Sequence, residues 1–312
     1  MDLIVSTKRF PASGETVIGT DFSTAPGGKG ANQAVQAARL GAAVTMIGKV
    51  GEDDFGKQLL DSAKNSGVDI SRIKICSDAP SAIGNVQLEI GEKHTANRII
   101  VVPGANMKLT VDDVAFLAES ISDYDMVMLQ HEIPTQVNLA VARFAKKAGV
   151  PVMLNPAPAA DVPSELISCL TYISPNEHEA FDIIGIAPDS SEKMTSAVEK
   201  LRELGVSNVL ITLGKDGCVF SDGVVFLKGD CVDSGAVVDS TAAGDSFMGA
   251  FCTAVAFGID AETAMLIANC TAGITVSRMG AQTSLPTHAE VLEVMRKNGF
   301  NTTEFEKIAE AV

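Results

Sequence analysis

Short apolar runs alternate with longer amphipathic stretches through the second half of the chain. Asp125–Gln130 (DMVMLQ) precedes a helix-like Gln136–Lys147, and Pro151–Leu154 (PVML) precedes Pro163–Leu170 and then Thr171–Ser174. Beyond them a helix-like Glu192–Leu204 leads into Val209–Leu213 (VLITL). Brief apolar runs bounded by turn residues suit strands buried on both faces, and amphipathic stretches suit helices that cover those faces. The alternation predicts βαβ units, hence a doubly wound α/β fold in which helices sandwich a mostly parallel sheet.

Two stretches fall outside this rhythm. Glu15–Ser23 and Ile83–Val102 have strand-like composition and near-period-2 patterning with no helix between, and Gly, Pro or Asn bounds each. Antiparallel strands off the main sheet are expected at about 12–25 and 81–102. Doubly wound folds bind ligands beyond the carboxyl ends of their strands, so these strands read either as a small β lid over that edge or as edge hairpins with no functional role. Phe300–Val312 predicts an additional terminal helix. Neither an internal repeat nor a low-complexity linker interrupts the chain, which predicts a single domain over residues 1–312.

Composition narrows the class. A chain of 312 residues, 46% apolar, has enough material for one large α/β domain or two ordinary ones. Its 24 Lys and Arg against 39 Asp and Glu give a net charge of −15, which opposes binding to phosphate backbones. Nucleic acid is therefore not an expected partner. No apolar run is long enough to span a membrane, and Asp2, Lys8 and Arg9 stand where a secretory signal would carry its apolar core. Cys76, Cys169, Cys218, Cys231, Cys252 and Cys270 are widely scattered without a CxxC pair, and they read as buried thiols of a reduced cytoplasm. His94, His131, His178 and His288 have no metal-ligand spacing to one another.

Candidate chemistry concentrates in two stretches. Asp239-Ser240-Thr241-Ala242-Ala243-Gly244-Asp245-Ser246-Phe247 follows an apolar run and opens a strongly helical one. Small residues at a helix start leave backbone N–H groups aimed outward with the positive end of the helix dipole behind them, an anion hole that a phosphoryl group can approach closely. A carboxylate there would repel an anion, so Asp245 reads either as a general base for a substrate hydroxyl during phosphoryl transfer or as an N-terminal capping acid. The second stretch, Pro26-Gly27-Gly28-Lys29-Gly30-Ala31-Asn32-Gln33-Ala34, lacks the Ser or Thr that a Walker A motif needs after its lysine, and it has no GxGxxG spacing. Its glycines let backbone amides approach a small ligand whose hydroxyls Lys29 and Asn32 could bind. A plain glycine turn ahead of a helix over Ala31–Leu40 is the other reading.

These two stretches, in this order, resemble the two signatures of the ribokinase family of carbohydrate kinases, also called PfkB: Gly27–Ala34 the first and Asp239–Phe247 the second. The similarity extends over nearly the whole chain and lies nearest the ribokinase branch through Gly14-Glu15-Thr16-Val17, Asn155-Pro156-Ala157-Pro158-Ala159 and Gly280-Ala281-Gln282. The resemblance implies a catalytic base at Asp245 and an anion hole from the amides of Ala242, Ala243, Gly244 and Asp245. It implies sugar contacts at Asp2, Gly28, Lys29, Gly30, Asn32 and Glu132. For ATP it implies Asn176, Gly244, the loop Thr212, Leu213, Gly214, Lys215, Asp216 and Gly217, and Asn269 beside the adenine. Glu179, in an N-x-x-E motif with Asn176, would organise Mg²⁺ through water. Asp239 and Ser284, with the carbonyls of Thr241, Thr275, Arg278 and Gly280, would hold a monovalent cation such as K⁺ next to the anion hole, hard oxygens that suit that ion.

The implied activity is ATP-dependent phosphorylation of D-ribose at O5 in a cytoplasmic enzyme. Deoxyribose, fructose or a nucleoside as acceptor, or a catalytically silent sugar-binding protein of the same fold, are the alternatives. Free edges of the lid strands favour a homodimer. One departure from the family stands out. Its members begin with an apolar strand and a Gly-Ser-x-Asn segment ahead of the position of Met1, so Met1 is expected to be an internal methionine and the natural polypeptide about a dozen residues longer. The missing Asn would lie close to the sugar, which leaves ribose and deoxyribose open.

Overall fold

The computed structural model describes residues 1–90 and 95–310. In chain order the strands are β1 (Asp2–Thr7), β2 (Asp21–Ala25), β3 (Thr45–Gly51), β4 (Asp69–Cys76), β5 (Ile83–Ile90), β6 (Thr95–Val102), β7 (Val127–Leu129), β8 (Val152–Leu154), β9 (Tyr172–Ile173), β10 (Asn208–Thr212), β11 (Cys218–Ser221) and β12 (Phe226–Gly229). The helices are α1 (Lys29–Arg39), α2 (Asp54–Asn65), α3 (Val111–Val114), α4 (Leu117–Ser120), α5 (Thr135–Ala148), α6 (Ser164–Ile167), α7 (Glu177–Ile184), α8 (Ser191–Glu203), α9 (Ala243–Ala256), α10 (Ala261–Val276), α11 (His288–Lys297) and α12 (Thr303–Glu310).

The largest sheet runs β12-β11-β10-β9-β8-β7, with β7 to β10 parallel and β11 and β12 antiparallel at one end. The buried positions of its central strands, Val152–Leu154, Ile173 and Val209–Ile211, are all apolar because both faces are covered. Val152, Leu154, Ile173, Val209 and Ile211 point into a core completed by Val137 and Val141 of α5, Leu166 of α6 and Leu201 of α8. The alternate residues Met153 and Leu210 point the other way, onto Phe247 and Phe251 of α9 and Met265 of α10. The terminal helix exists as α12 and adds Phe305 and Ile308 to this second core. Strands β3 and β4 pair in parallel as a separate two-stranded sheet, from which Ile47 packs against the first core.

The lid is a four-stranded sheet ordered β2-β1-β5-β6. It differs from the expectation in two ways. Strand β1 joins it and lies parallel to β5, so the lid is mixed and not wholly antiparallel. Its β2 begins only at Asp21, because the Glu15 carboxylate accepts the Ala12 amide at 3.0 Å and an Arg9 ion pair and so folds 12–15 into a turn instead of extending it into a ladder. The short strands β3, β4, β11 and β12 were not legible in the sequence. Among the described residues, no helix is long and apolar enough to cross a membrane.

Candidate active site

The loop into α9 turns sharply at Ala242, whose φ of 60° makes it the one non-glycine residue with left-handed backbone among the described residues. Asp239 holds this turn. Its Oδ1 accepts Thr241 N at 2.9 Å and Thr241 Oγ1 at 2.7 Å, and its Oδ2 accepts Gly280 N at 2.9 Å. The Ala243 amide closes onto the Ser240 carbonyl at 3.2 Å, leaving the first-turn amides of Gly244 and Asp245 for a ligand. Asp245 is only 6% exposed at the third position of α9. Asn32 Nδ2 donates to its Oδ2 at 2.8 Å and Gln33 Nε2 to its Oδ1 at 3.2 Å. Two neutral amides therefore satisfy a carboxylate that stays aimed into a cavity of about 210 Å³. Lys29, Asn176, Glu179, Thr212, Ala242, Ala243 and Gly244 line that cavity with it.

The glycine stretch forms the start of α1, with Gly28 at φ 96°. Lys29 N donates to Glu132 Oε2 at 2.8 Å, which ties this helix start to the loop after β7. A Cβ on Gly27 would lie 2.2 Å from Asp2 Oδ2, and one on Gly84 2.7 Å from Asp2 Oδ1, so the lid carboxylate nests where neither residue has a side chain. A Cβ on Gly30 would lie 3.0 Å from Gln130 Oε1, so that glycine gives room to a neighbouring amide. Burial raises the pKa of Asp2; the Met1 ammonium opposes the shift and Asp245 adds to it. Glu132 is also raised by burial, against its bond from Lys29 N and with a further push from Asp245.

Asn176 and Glu179 form a capping box on α7: Glu179 N donates to Asn176 Oδ1 at 2.9 Å and Asn176 N to Glu179 Oε2 at 2.9 Å. Glu179 Oε1 and Asn176 Nδ2 remain for a ligand. Burial raises the pKa of Glu179, while the Asn176 amide and Lys29 lower it. Among the described residues no three His, Cys, Asp or Glu side chains converge to cage a metal. A lone carboxylate beside an amide suits magnesium, which keeps its waters and binds phosphate oxygens as well. Thr212 pairs with Asn176 across an isolated bridge, and Leu213 N closes onto Gly217 O at 2.8 Å around Gly214, Lys215 and Asp216. Of this loop only Thr212 lines the cavity of Asp245. Asn269 lies apart, buried in α10, where its Nδ2 donates to Cys218 Sγ at 3.4 Å beside Gly229.

Of the residues expected to hold a monovalent cation, Asp239 and Gly280 meet directly, through Gly280 N donating to Asp239 Oδ2. Val238 N and Asp239 N both donate to Val276 O, at 2.8 and 3.2 Å, fastening the Asp239 turn to the end of α10. Arg278 N donates to Thr275 O at 3.1 Å, and Ser284 Oγ to Ala281 O at 2.7 Å. The donor set offers carbonyl, hydroxyl and carboxylate oxygens, which fit an alkali cation and no softer metal.

With this geometry in place, the family model of pfkB family carbohydrate kinases matches residues 1–288. The ribokinase of Bacillus subtilis is 40% identical over 295 residues, 95% of this chain and 96% of that one. The ribokinase of Schizosaccharomyces pombe is 37% identical over 93% of each. The solved structure of Arabidopsis thaliana ribokinase complexed with ribose and ATP superposes with a TM-score of 0.87 at 33% identity, covering 95% of both chains. The chain belongs to the PfkB family of carbohydrate kinases.

The kinase's cavity also includes residues to which the sequence reading gave no role in the site: Asn155, Ala157, Ser174, Ser240 and Met248 line it, and Gln33 touches Asp245 from beneath. A signal for Gln33 was present. Asn32, Gln33 and Gln36 are buried amides in a helix whose other buried positions are Ala and Val, and buried amides need partners. Those of Asn155 and Ser174, the first residues beyond β8 and β9, carried no such mark. Of the histidines, His288 stacks on Phe305 at 4.1 Å, burial lowers the pKa of His131, and His94 lies outside the described residues.

Proposed function

We propose that this kinase transfers the terminal phosphoryl group of ATP to the O5 hydroxyl of D-ribose, giving ribose 5-phosphate and ADP. The observation that carries this reading is the Asp245 carboxylate, held by two amides at the head of α9 and open to the cavity that Lys29, Asn176 and Glu179 share. Asp245 takes the proton from O5 as that oxygen attacks the γ-phosphorus, and the bond from phosphorus to the bridging oxygen of ADP breaks in line. The amides of Gly244 and Asp245 receive the charge that develops on the transferred group, backed by the dipole of α9. Asp2, Glu132 and Asn32 hold the sugar hydroxyls, with Lys29 and the backbone at Gly28 beside them. Glu179 and Asn176 would hold magnesium through water, and the ion would supply positive charge to the phosphates. The loop 212–217 and Asn269 accept the nucleotide.

Further parts of the proposal concern the surroundings of the site. Asp239, Ser284 and the carbonyls of Thr241, Thr275, Arg278 and Gly280 would hold K⁺, whose charge would add to the hydrogen bonds by which Asp239 keeps its turn. A second copy of the chain covers the lid. Ile99, Ile100, Val101 and Val102 alternate between its faces yet are each 45% to 62% exposed, so the edge strand β6 is uncovered on both faces within one chain. Six unpaired cysteines suit a reducing cytoplasm, although Cys231 is exposed and not buried as expected.

The test is ADP release with ATP, Mg²⁺ and D-ribose, in K⁺ and then in Na⁺. Ribose-dependent release that rises with K⁺ is expected; release indifferent to ribose but driven by another sugar overturns the substrate, and equal rates in both ions overturn the cation site. Sedimentation equilibrium is expected to give a dimer, and a monomer at all concentrations removes the lid interface.

A further inference from the structure

We infer that Gln33 is a positioning residue that fixes the orientation of the Asp245 carboxylate. The inference rests on the reading of Asp245 as the base. Gln33 is 1% exposed, so it reaches substrate only through Asp245. Its Nε2 donates to Asp245 Oδ1 at 3.2 Å and to Asn155 Oδ1 at 3.2 Å, while its Oε1 accepts Gln130 Nε2 at 2.6 Å. The Asp245 carboxylate, which only accepts, settles which end of the Gln33 amide faces it: nitrogen toward Asp245, oxygen toward Gln130.

The anchors of this network lie on the rigid part of the fold. Gln130, Asn155 and Ser174 are the first residues beyond β7, β8 and β9, which are adjacent and parallel. Asn155 Nδ2 donates to Ser174 O at 2.9 Å, and Asn138 Nδ2 of α5 donates to Gln130 O at 2.7 Å. A line of amides thus crosses the carboxyl ends of the strands and terminates on one carboxylate oxygen, while Asn32 holds the other at 2.8 Å. A carboxylate with one donor on each oxygen cannot rotate about Cβ–Cγ without breaking both bonds. The lone pair offered to the sugar hydroxyl is therefore set before the sugar arrives, which is where positioned general bases gain their rate. Gly30 belongs to the same device, since a side chain there would meet Gln130 Oε1.

Gln33→Met keeps the side chain's length and removes its donors. Its kcat is expected to fall about 10- to 100-fold, as for a reacting group left loosely placed, with KM for both substrates and the calorimetric ribose affinity within about twofold, the mark of an interaction that matters only in the transition state. An unchanged kcat, or kcat and ribose affinity falling together, overturns the inference. If Gln33→Met fails to fold, Gln130→Leu decides: a smaller loss of kcat with the same unchanged KM is expected, and no loss overturns it. Asp245→Asn runs alongside. If that variant keeps its turnover, the base assignment itself fails, whereas loss there with a normal Gln33→Met fails Gln33 alone.

Discussion

Asn32 Nδ2 lies 2.8 Å from Asp245 Oδ2, although 213 positions separate the two residues in the chain. Their meeting brings the start of α1 against the start of α9, and with it the glycine loop of one signature against the anion hole of the other. The approach is close because Gly249 has no side chain: a Cβ there would lie 2.7 Å from the Gln33 carbonyl oxygen and 2.8 Å from Gln36 Cβ. A carboxylate supplied by one helix is thus held by amides of another.

Asp245→Asn should abolish most turnover. The amide cannot take the O5 proton, and general-base contributions run to about 10²- to 10⁴-fold. Shape and volume are conserved, so ribose affinity measured by calorimetry should change little. A variant with near-normal kcat removes Asp245 as the base.

Gly27→Ala should separate sugar binding from folding. Its Cβ would lie 2.2 Å from Asp2 Oδ2, the free end of a side chain that is able to swing away. The fold then survives while the lid carboxylate is displaced from the sugar. Loss of one hydrogen bond to a charged group, about 1.5–3 kcal/mol, predicts a KM for ribose raised at least about tenfold with thermal stability nearly unchanged. An unaltered KM removes Asp2 from the sugar site.

Acid should weaken ribose binding earlier than an ordinary carboxylate would. Burial raises both Asp2 and Glu132, with Asp245 adding to each, so each takes up its proton at a higher pH than the same carboxyl free in water. Their raised folded-state pKa values mean that their contribution to stability is present at low pH and lost as pH rises through those values. Mild acidification therefore lowers sugar affinity without any destabilisation from this pair. Ribose titrations between about pH 5 and 8 should show the affinity falling with pH in the native chain, and Glu132→Gln should show a flatter profile from a weaker start. A native profile that is flat to the bottom of the range overturns the assignment.

Gly249→Ala should destabilise the protein by about 1–3 kcal/mol, the usual cost of overpacking. The atoms its Cβ meets include a backbone oxygen, which yields less readily than a side chain. Because the same shift parts Asn32 and Gln33 from Asp245, kcat should fall with stability. Chemical denaturation and steady-state rates check both, and a variant of native stability shows that the helices have slack.

The order of elements was legible in the sequence, because burial on both faces leaves uninterrupted apolar runs such as Val209–Ile211, and exposure on one face leaves the amphipathic patterns of α5 and α8. The candidate loops carried a local mark too, since small residues at a helix start free backbone amides wherever that helix ends up, and an acid among them stands out because it would repel an anion. Tertiary structure alone decided what each loop faces. That β1 enters the lid, that Glu15 turns its own segment out of the ladder, and that amides beyond β7 and β8 converge on Gln33 all depend on contacts between positions far apart. Local pattern reports how much of a residue is buried and on which face. It carries no record of the partner that buries it, and at this site the partners are the Asn32 and Gln33 amides that hold the Asp245 carboxylate.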